Sequence, residues 1–274
     1  DLPIDDFRRL TPQALTERGL RAREISFDGL RLPGAASDEA LCFNDVVFSY
    51  GRERALVIHA LKIPCGSIVA VIGPNGAGKS TFGRCLCGLE KKMQGTISLR
   101  GKVLNYKERI RRSYLVMQDV NHQLFTESVE EEVMLSMEKA DLSDAQKSEQ
   151  AQEILKTMHL EDFAQMHPMA LSGGQKQRVS VACAFASDKE MLVYDEPTSG
   201  LDHARMLNVA EAMRTMQTRG KTQFVITHDP ELIEQVCDYL LFLEKGHVRC
   251  AGPFNDAYVQ VIEKFFSLRS LSDK

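Results

Sequence analysis

The sequence predicts an α/β fold with a mostly parallel sheet, because its apolar and amphipathic segments alternate. From Leu41 onward, short apolar runs bounded by polar or turn residues are separated by longer stretches of helical periodicity. Short apolar runs of this kind are typical of central strands that are buried on both faces. Strands that alternate with helices are typical of parallel sheets. The four clearest strand candidates are residues 67–72, 191–194, 223–226 and 239–243.

Three segments do not follow this alternation. Residues 1–40 include a turn-rich stretch at 32–38, and we interpret them either as a linker that follows another domain or as an ordinary N-terminal extension. Residues 125–170 show apolar side chains at helical spacing, so we expect a helical insertion between strands of the core there. Residues 254–274 are predicted to form an amphipathic helix that packs on the core or on a partner.

Composition bounds the class of protein. The 274 residues are 43% hydrophobic and 26% charged, which is enough to build a sizeable core. Lys and Arg number 34 against 38 Asp and Glu, a formal net charge of -4, so a nucleic-acid partner is not predicted. Apolar runs fall short of the roughly 18 residues of a membrane helix, so we expect membrane contact through a partner. The seven scattered cysteines are interpreted as reduced thiols in a cytoplasmic protein.

A glycine-rich segment directly after the first strand candidate matches the phosphate-binding pattern G-x-x-x-x-G-K-[ST] at every fixed position. Its residues are Gly73, Pro74, Asn75, Gly76, Ala77, Gly78, Lys79 and Ser80. Because a helix is predicted to begin near Thr81, we expect backbone N–H groups and a helix N-terminus to face phosphate oxygens. Lys79 is expected to reach the β- and γ-phosphates, and Ser80 to bind Mg²⁺. The pattern predicts a nucleoside triphosphate site.

Two adjacent acids follow the strand candidate at 191–194. Asp195 is expected to lie near the Mg²⁺ ion, at the end of the strand. Glu196 is expected to lie beside the γ-phosphate, where a carboxylate can orient and deprotonate the attacking water. The alternative is a strand that ends in two acids by chance, which the intact phosphate loop disfavours.

The segment Leu171-Ser172-Gly173-Gly174-Gln175 resembles the LSGGQ signature of ABC-type ATPases. Other elements of that family occur in the family's order, over about residues 41–250 and with no departure at a motif position. Tyr50 is similar to the aromatic residue that stacks on adenine, Gln118 to the glutamine of the Q-loop, Ser199-Gly200-Leu201-Asp202 to the D-loop and His228 to the switch histidine.

This resemblance implies a P-loop NTPase core of the ABC ATPase type, with an N-terminal antiparallel β portion. It also implies a helical subdomain at about 120–172, within an ABC ATPase domain that spans 41–274. The implied cofactors are ATP and Mg²⁺. In the family, two such domains pack head to tail, so the signature of one serves the ATP of the other. The second domain belongs to a homodimer, a heterodimer or a tandem protein, and residues 1–40 suit the second half of a tandem.

Each matched residue takes an implied role from the family. Glu196, His228 and Gln118 act in hydrolysis, and Gln118 shares the metal with Ser80 and Asp195. The residues implied to bind nucleotide are Tyr50, the eight residues of the phosphate loop, Thr81, Asp195, Ser172, Gly173, Gly174, Gln175 and Asp202. Apart from the family, Tyr50 is also readable as a packed core aromatic, Gln118 as a solvated loop residue and His228 as a structural histidine.

Residues 118–133 resemble the Q-loop region of ATPases from energy-coupling-factor transporters, with Asp119 and Val120 in place of the usual Asn-Pro. In that group, this segment helps to form a groove for short cytoplasmic helices of the membrane subunit. The resemblance implies an ATPase on the cytoplasmic face of the cell membrane that powers import of a vitamin or a transition-metal ion. Its implied partners are a transmembrane coupling subunit and a substrate-binding membrane subunit. The alternatives are another ABC importer or exporter, and a soluble ABC ATPase that remodels a macromolecular complex.

Overall fold

The computed structural model describes residues 39–137 and 141–272, so most of the predicted linker or extension at 1–40 lies outside the described residues. The strands of the described part are β1 (Ala40–Tyr50), β2 (Glu53–Pro64), β3 (Ile68–Ile72), β4 (Gln94–Leu99), β5 (Lys102–Val103), β6 (Ser113–Val116), β7 (Met191–Asp195), β8 (Thr222–Ile226), β9 (Tyr239–Glu244) and β10 (His247–Pro253). Its α-helices are α1 (Lys79–Leu86), α2 (Tyr106–Arg112), α3 (Val129–Ser136), α4 (Asp144–Thr157), α5 (Gly173–Ala186), α6 (His203–Thr218), α7 (Pro230–Val236) and α8 (Asp256–Ser272).

These strands form one sheet in the order β5-β4-β1-β2-β10-β9-β3-β8-β7-β6. In one half, the five strands β6, β7, β8, β3 and β9 run parallel to one another. The four strand candidates lie in this half, within two residues of their predicted bounds. The α/β prediction is therefore confirmed.

The other half of the sheet is antiparallel. Strand β1 pairs with both β2 and β4, and β4 pairs with the two-residue strand β5. Strand β10 connects the halves, because it runs antiparallel to β9 and parallel to β2. The antiparallel N-terminal portion implied by the family resemblance is confirmed.

Helices cover both faces of the parallel half. All five residues of β3 are buried, and their side chains alternate between two cores. Ile68, Ala70 and Ile72 pack with apolar side chains of α3 to α8. Val69 and Val71 pack with α1 and with the antiparallel strands. This double burial explains why β3 reads as a continuous apolar run.

Helices α3, α4 and α5 lie between β6 and β7 in the chain and pack on one another. Each begins at a serine that caps it. Ser128 Oγ accepts a hydrogen bond from Glu131 N, and Ser143 forms a reciprocal capping box with Gln146. Such caps satisfy N–H groups that the first turn of a helix leaves unpaired. Among the described residues, no helix is both long enough and apolar enough to cross a bilayer.

Candidate active site

A cleft of 1020 Å³ opens where the parallel strands end. The loops that follow β3, β6, β7 and β8 meet there, because parallel strands place their carboxyl ends at one edge of the sheet. Most of the predicted site residues line this cleft, namely Tyr50, Asn75, Gly76, Ala77, Gly78, Lys79, Ser80, Thr81, Gln118, Asp195, Glu196 and His228.

The phosphate loop has positive φ angles at Gly73, Gly76 and Gly78, and at two of these positions a Cβ would also clash with the backbone of a neighbouring strand. Gly73 has φ 151°, and a Cβ there would lie 2.0 Å from the carbonyl oxygen of Leu243. Gly78 has φ 95°, and its Cβ would lie 2.6 Å from the carbonyl oxygen of Ala55. The loop therefore depends on close contact with β9 and β2, as well as on left-handed backbone.

The ammonium group of Lys79 is held against its own loop. Its Nζ donates to the carbonyl oxygens of Gly73, at 2.7 Å, and Pro74, at 3.0 Å. These two hydrogen bonds hold the backbone of Gly73 and Pro74 beside the cleft. Lys79 begins α1 and is 8% exposed, so its charge is fixed at the start of a helix instead of moving freely in solvent.

Two oxygen-bearing side chains lie next to this lysine. Ser80 forms a side-chain hydrogen bond with Asp195, the last residue of β7. Burial raises the pKa of the Asp195 carboxyl, while the Ser80 hydroxyl and the positive charge of Lys79 oppose that increase. The pKa of the Asp195 carboxyl is therefore subject to two opposing effects, burial on one hand and its polar and charged neighbours on the other.

Glu196 occupies a conformation that L-residues seldom adopt. Its φ is 54°, and its N–H donates to Ile226 O at 2.8 Å, which ties it to the end of β8. Its Oε2 accepts from His228 N at 3.3 Å and from Thr227 Oγ1 at 3.4 Å. Left-handed backbone at a non-glycine residue is often found at functional sites. Here it aims the carboxylate at the loop that carries His228.

Burial and the nearby charge of Asp195 both raise the pKa of Glu196, with burial the larger cause. The hydrogen bond from His228 N acts in the opposite direction. The imidazole Nε2 of His228 lies 3.7 Å from Glu196 Oε1. The two side chains therefore share one edge of the cleft, and both are partly exposed to it.

Gln118 lies in the loop after β6, and a second glutamine fixes that loop. Gln123 Oε1 accepts from Met117 N at 3.1 Å. Its Nε2 donates to Tyr114 Oη and to Leu115 O, both at 3.0 Å. Gln123 belongs to residues 118–133, but its role in this loop was missed in the sequence.

Tyr50 ends β1 at the rim of the same cleft and is 50% exposed. Its ring meets Phe48 edge-to-face, with centroids 4.9 Å apart. One part of the ring is therefore supported by the protein while another part faces the cleft. This arrangement differs from that of a fully packed core aromatic.

The signature residues line a different cleft, of 670 Å³. Ser172 caps α5 through a reciprocal box with Gln175, in which Gln175 Oε1 accepts from Ser172 N at 2.8 Å. Asp202 caps α6 and accepts from Arg205 N at 2.8 Å. The predicted residues in this second cleft are Ser172, Gly173, Gly174, Gln175 and Asp202, with Gln118 and Ser199 lining both clefts.

Comparison with known proteins agrees with this geometry. A family model described as ABC transporter matches residues 57–199, which is more than half of the chain. The chain belongs to the ABC transporter family.

Three individual proteins illustrate the likeness to other ABC proteins. A putative ABC transporter ATP-binding protein of Treponema denticola is 36% identical over 90% of this chain and 51% of its own length. The dimeric ATP-binding cassette MJ0796 bound to ADP and Pi has 26% identity and a TM-score of 0.69, covering 78% of this chain and 99% of that one. The cassette cbiO1 of Clostridium perfringens, part of the ABC transporter complex cbiONQ, has 26% identity and a TM-score of 0.70, covering 87% and 96%.

The chain spans about half the length of the two Treponema denticola relatives, 51% and 42%. It is nonetheless similar to the two solved cassettes over almost their whole length. The part of the chain that the structure describes is accordingly an ABC ATPase domain, and domains of this class bind ATP.

The turn between β9 and β10 is a part of this ABC site that sequence reasoning missed. Gly246 N donates to Ala77 O at 3.0 Å, and Gly246 O accepts from Val57 N at 2.7 Å. Lys245 and Gly246 also line the nucleotide cleft. The Lys-Gly pair signals a turn, but its contact with the phosphate loop depends on long-range pairing that leaves no local pattern.

Proposed function

We propose that this ABC domain hydrolyses ATP in the cleft at the strand ends and thereby drives membrane transport. The observation that carries the proposal is the meeting of Lys79, Ser80, Gln118, Asp195, Glu196 and His228 in one cleft. A cation for phosphates, oxygen groups for a metal ion and a buried carboxylate for water activation are the parts that phosphoryl transfer to water requires.

In this proposal, Glu196 is the general base. Its carboxylate is fixed by Thr227 and by His228 N, so it can orient a water molecule without first reorganising. The raised pKa makes it a stronger base than an exposed glutamate. His228 holds the γ-phosphate and the attacking water in place from the same edge. Tyr50 stacks on the adenine ring of the nucleotide at the rim of the cleft.

The residues around Ser80 fit Mg²⁺. A hydroxyl and a carboxylate already meet at Ser80 and Asp195, and the amide of Gln118 lines the same cleft. Hard oxygen donors of this type are the ligands that Mg²⁺ prefers. When bound, the ion neutralises charge on the β- and γ-phosphates.

The separate signature cleft supports a second ABC domain as partner. Ser172 and the N–H groups at the start of α5 lie in a cleft other than the one that holds Lys79. The space beside Gly173 is open, so a phosphate group can approach its backbone. We therefore propose head-to-tail pairing, in which each signature meets the nucleotide of the other domain. The dimeric structure of the cassette bound to ADP and Pi supports the pairing of two such domains.

A lateral groove of 720 Å³ supports a membrane partner. It is lined by Arg111, Arg112, Tyr114, Gln123, Phe125, Glu132, Leu135, Ser136, Met137, Ala186, Ser187, Asp188, Lys189 and Glu190. Phe125 is 74% exposed there and Leu135 40%. Exposed apolar side chains rimmed by charges suit one face of a short amphipathic helix. Gln123 lines the groove and also accepts a hydrogen bond from Met117 N. Met117 precedes Gln118, which lines the nucleotide cleft, so Gln123 connects a helix bound in the groove to that cleft.

The finer proposal is an energy-coupling-factor importer of a vitamin or a transition-metal ion, working at the cytoplasmic face of the membrane. The resemblance of residues 118–133 and the likeness to cbiO1 support it. Co-purification of the native protein in mild detergent tests it. We expect a coupling subunit and a small substrate-binding membrane protein to accompany the chain. Recovery with the permease of another importer or an exporter would replace this finer proposal, and recovery without membrane proteins would favour a soluble remodelling ATPase.

The groove itself is tested by Phe125→Asp. The variant is expected to lose its membrane subunits during purification while it keeps its ATP affinity, because Phe125 lies outside the nucleotide cleft. Val103→Asp is the matched control, since Val103 is also an exposed apolar residue, at 56%, but lies on β5 at the far edge of the sheet. Equal retention of membrane subunits by both variants would exclude this groove as the docking site.

A further inference from the structure

Helix α8 brings an aromatic ring to the histidine of the nucleotide cleft. The ring of Phe265 lies almost parallel to the imidazole of His228, with centroids 6.3 Å apart and an angle of 26° between the planes. This distance is within the range over which aromatic rings interact favourably. Phe265 belongs to none of the sequence motifs and does not line the cleft. Its contact with the site passes through His228.

Packing contacts with two other aromatic rings hold Phe265 in place. Phe242 of β9 meets its ring edge-to-face at 5.5 Å, and Phe266 does so at 5.2 Å. One turn of helix earlier, Ile262 is fully buried, and Phe266 is 6% exposed. Both pack into the core shared with α6 and α7. Phe265 is thus fixed by the sheet on one side and by the anchored helix on the other.

The orientation of the His228 ring matters because of its two neighbours. Its Nε2 lies 3.7 Å from Glu196 Oε1, at the cleft. Its plane lies nearly parallel to the ring of Phe265. Rotation of the imidazole about its Cβ–Cγ bond would move Nε2 away from the cleft and would bring the ring edge against the phenyl face. A flat aromatic neighbour therefore restricts the rotation that a rounded aliphatic side chain would permit.

We propose that Phe265 is a positioning residue for His228, and that α8 is by this contact part of the hydrolytic apparatus. The inference rests on the proposed function, since it requires that His228 act on the γ-phosphate or the attacking water. Loss of the flat face lets the imidazole leave its productive orientation, which lowers the rate of the chemical step. It leaves the binding of ATP unchanged, because Phe265 does not reach the cleft.

The test compares Phe265→Leu with Phe265→Tyr in the full chain, within the assembly in which it purifies. We expect Phe265→Leu to lower kcat roughly tenfold, because displacement of a catalytic group by a fraction of an ångström is costly. KM and ATP affinity are expected to stay within about twofold, because uniform binding is unaffected. Phe265→Tyr keeps the flat ring and is expected to keep kcat. Tyr258→Leu is the matched control, because it makes the same aromatic-to-leucine change at a half-buried position of α8 whose hydroxyl bonds to Ala251 O.

A double-mutant cycle separates positioning from general structural damage. In the presence of His228→Ala, which should itself abolish most turnover, Phe265→Leu is expected to cause no further loss. The imidazole resonances of His228 provide a second readout that needs no turnover. They are expected to shift in Phe265→Leu, as the ring current is lost, and to stay in place in Tyr258→Leu.

The outcomes distinguish the two levels of the proposal. Full turnover by Phe265→Leu beside an inactive His228→Ala would overturn the positioning role and leave the proposed function intact. Equal losses from Phe265→Leu and Tyr258→Leu would likewise overturn it, because the effect would then be one of packing. Full turnover by His228→Ala would instead remove His228 from the proposed mechanism, and the role of Phe265 with it.

Discussion

A half-buried glutamate and a buried aspartate lie at opposite ends of the parallel strands, and the same physical effect acts on both. Glu196 follows β7 at the carboxyl end of the strands, and Asp238 precedes β9 at the amino end. Burial raises the pKa of each, to about 6 for Asp238. A raised pKa alone would make both of them candidates for catalysis.

Their surroundings differ in what the oxygens can reach. Asp238 Oδ1 accepts from Ile68 N at 3.0 Å, and Oδ2 accepts from the side-chain amide of Gln217. The residue is 5% exposed, so both oxygens serve to close the end of β3 against α6. Glu196 instead lines a cleft of 1020 Å³ with room for a substrate. An acid with a raised pKa therefore marks a reaction site only where an open cleft adjoins it.

The largest expected effect is that of Glu196→Gln. Glutamine keeps an acceptor oxygen for Thr227 and His228 N but cannot take a proton from water, so turnover is expected to fall about 10²- to 10⁴-fold. ATP affinity and the free energy of unfolding are expected to stay near wild type, because the hydrogen bonds that Thr227 and His228 N donate to this side chain are kept. Phosphate release and nucleotide titration on the same preparation measure both.

If Glu196→Gln retained near-normal turnover, Glu196 would be a buried acid of the same kind as Asp238. The wild-type pH profile adds a second check. Because the pKa of Glu196 is raised, its protonation begins at a higher pH than for an exposed glutamate. Turnover is therefore expected to fall on the acid side before other glutamates titrate.

Asp238→Asn is expected to have the next largest effect, on stability in place of activity. Since the folded pKa is raised from 3.8 to about 6, the folded state binds the proton more tightly than the unfolded chain. The stabilisation is present below about pH 4 and is lost as pH rises through 6. Ionisation of Asp238 in the folded protein therefore costs roughly 3 kcal/mol, and the asparagine variant lacks this loss.

The measurement is the difference in the free energy of unfolding between wild type and Asp238→Asn, followed from about pH 4 to 7. Subtraction cancels the contributions of Asp195 and Glu196, whose pKa values are also raised. In Asp238→Asn, the N–H₂ group of asparagine faces the donor amide of Gln217. This lowers the free energy of unfolding by an amount that does not vary with pH. Parallel stability curves would show that Asp238 titrates normally. Turnover is expected to change less than twofold, since Asp238 lies at the other end of the strands.

The sequence predicts one of these two sites much better than the other. Lys79 is predicted by the phosphate-loop pattern, Asp195 by the acids that end an apolar strand candidate, and His228 by the family resemblance. Asp238 carries no such signal, because its partners Ile68 and Gln217 are brought to it by pairing of β3 with β9 and by packing of α6. The contacts of Phe265 with His228 and of Gly246 with Ala77 were unpredictable for the same reason.

Lys79 lies between the two cases, because it contacts both the fold and the expected substrate. Its Nζ donates to two carbonyl oxygens of its own loop, Gly73 O and Pro74 O, and faces the cleft as well. Lys79→Ala is expected to weaken ATP binding by about 2 kcal/mol, roughly 30-fold, as charge-assisted hydrogen bonds to phosphate are lost. It is expected to lower the free energy of unfolding by only about 1 kcal/mol, since water in the cleft can hydrate the two carbonyls.

Lys102→Ala is the control for Lys79→Ala. Lys102 is an exposed lysine of β5 that pairs with Glu108 of α2 and lies outside the cleft. Nucleotide titration and chemical unfolding of both variants give the two quantities side by side. A loss of stability as large as the loss of affinity would mean that Lys79 acts chiefly as part of the fold, as Asp238 does. Unchanged ATP affinity would remove Lys79 from the nucleotide site, because a cation at the start of α1 that does not bind phosphate serves only its own loop.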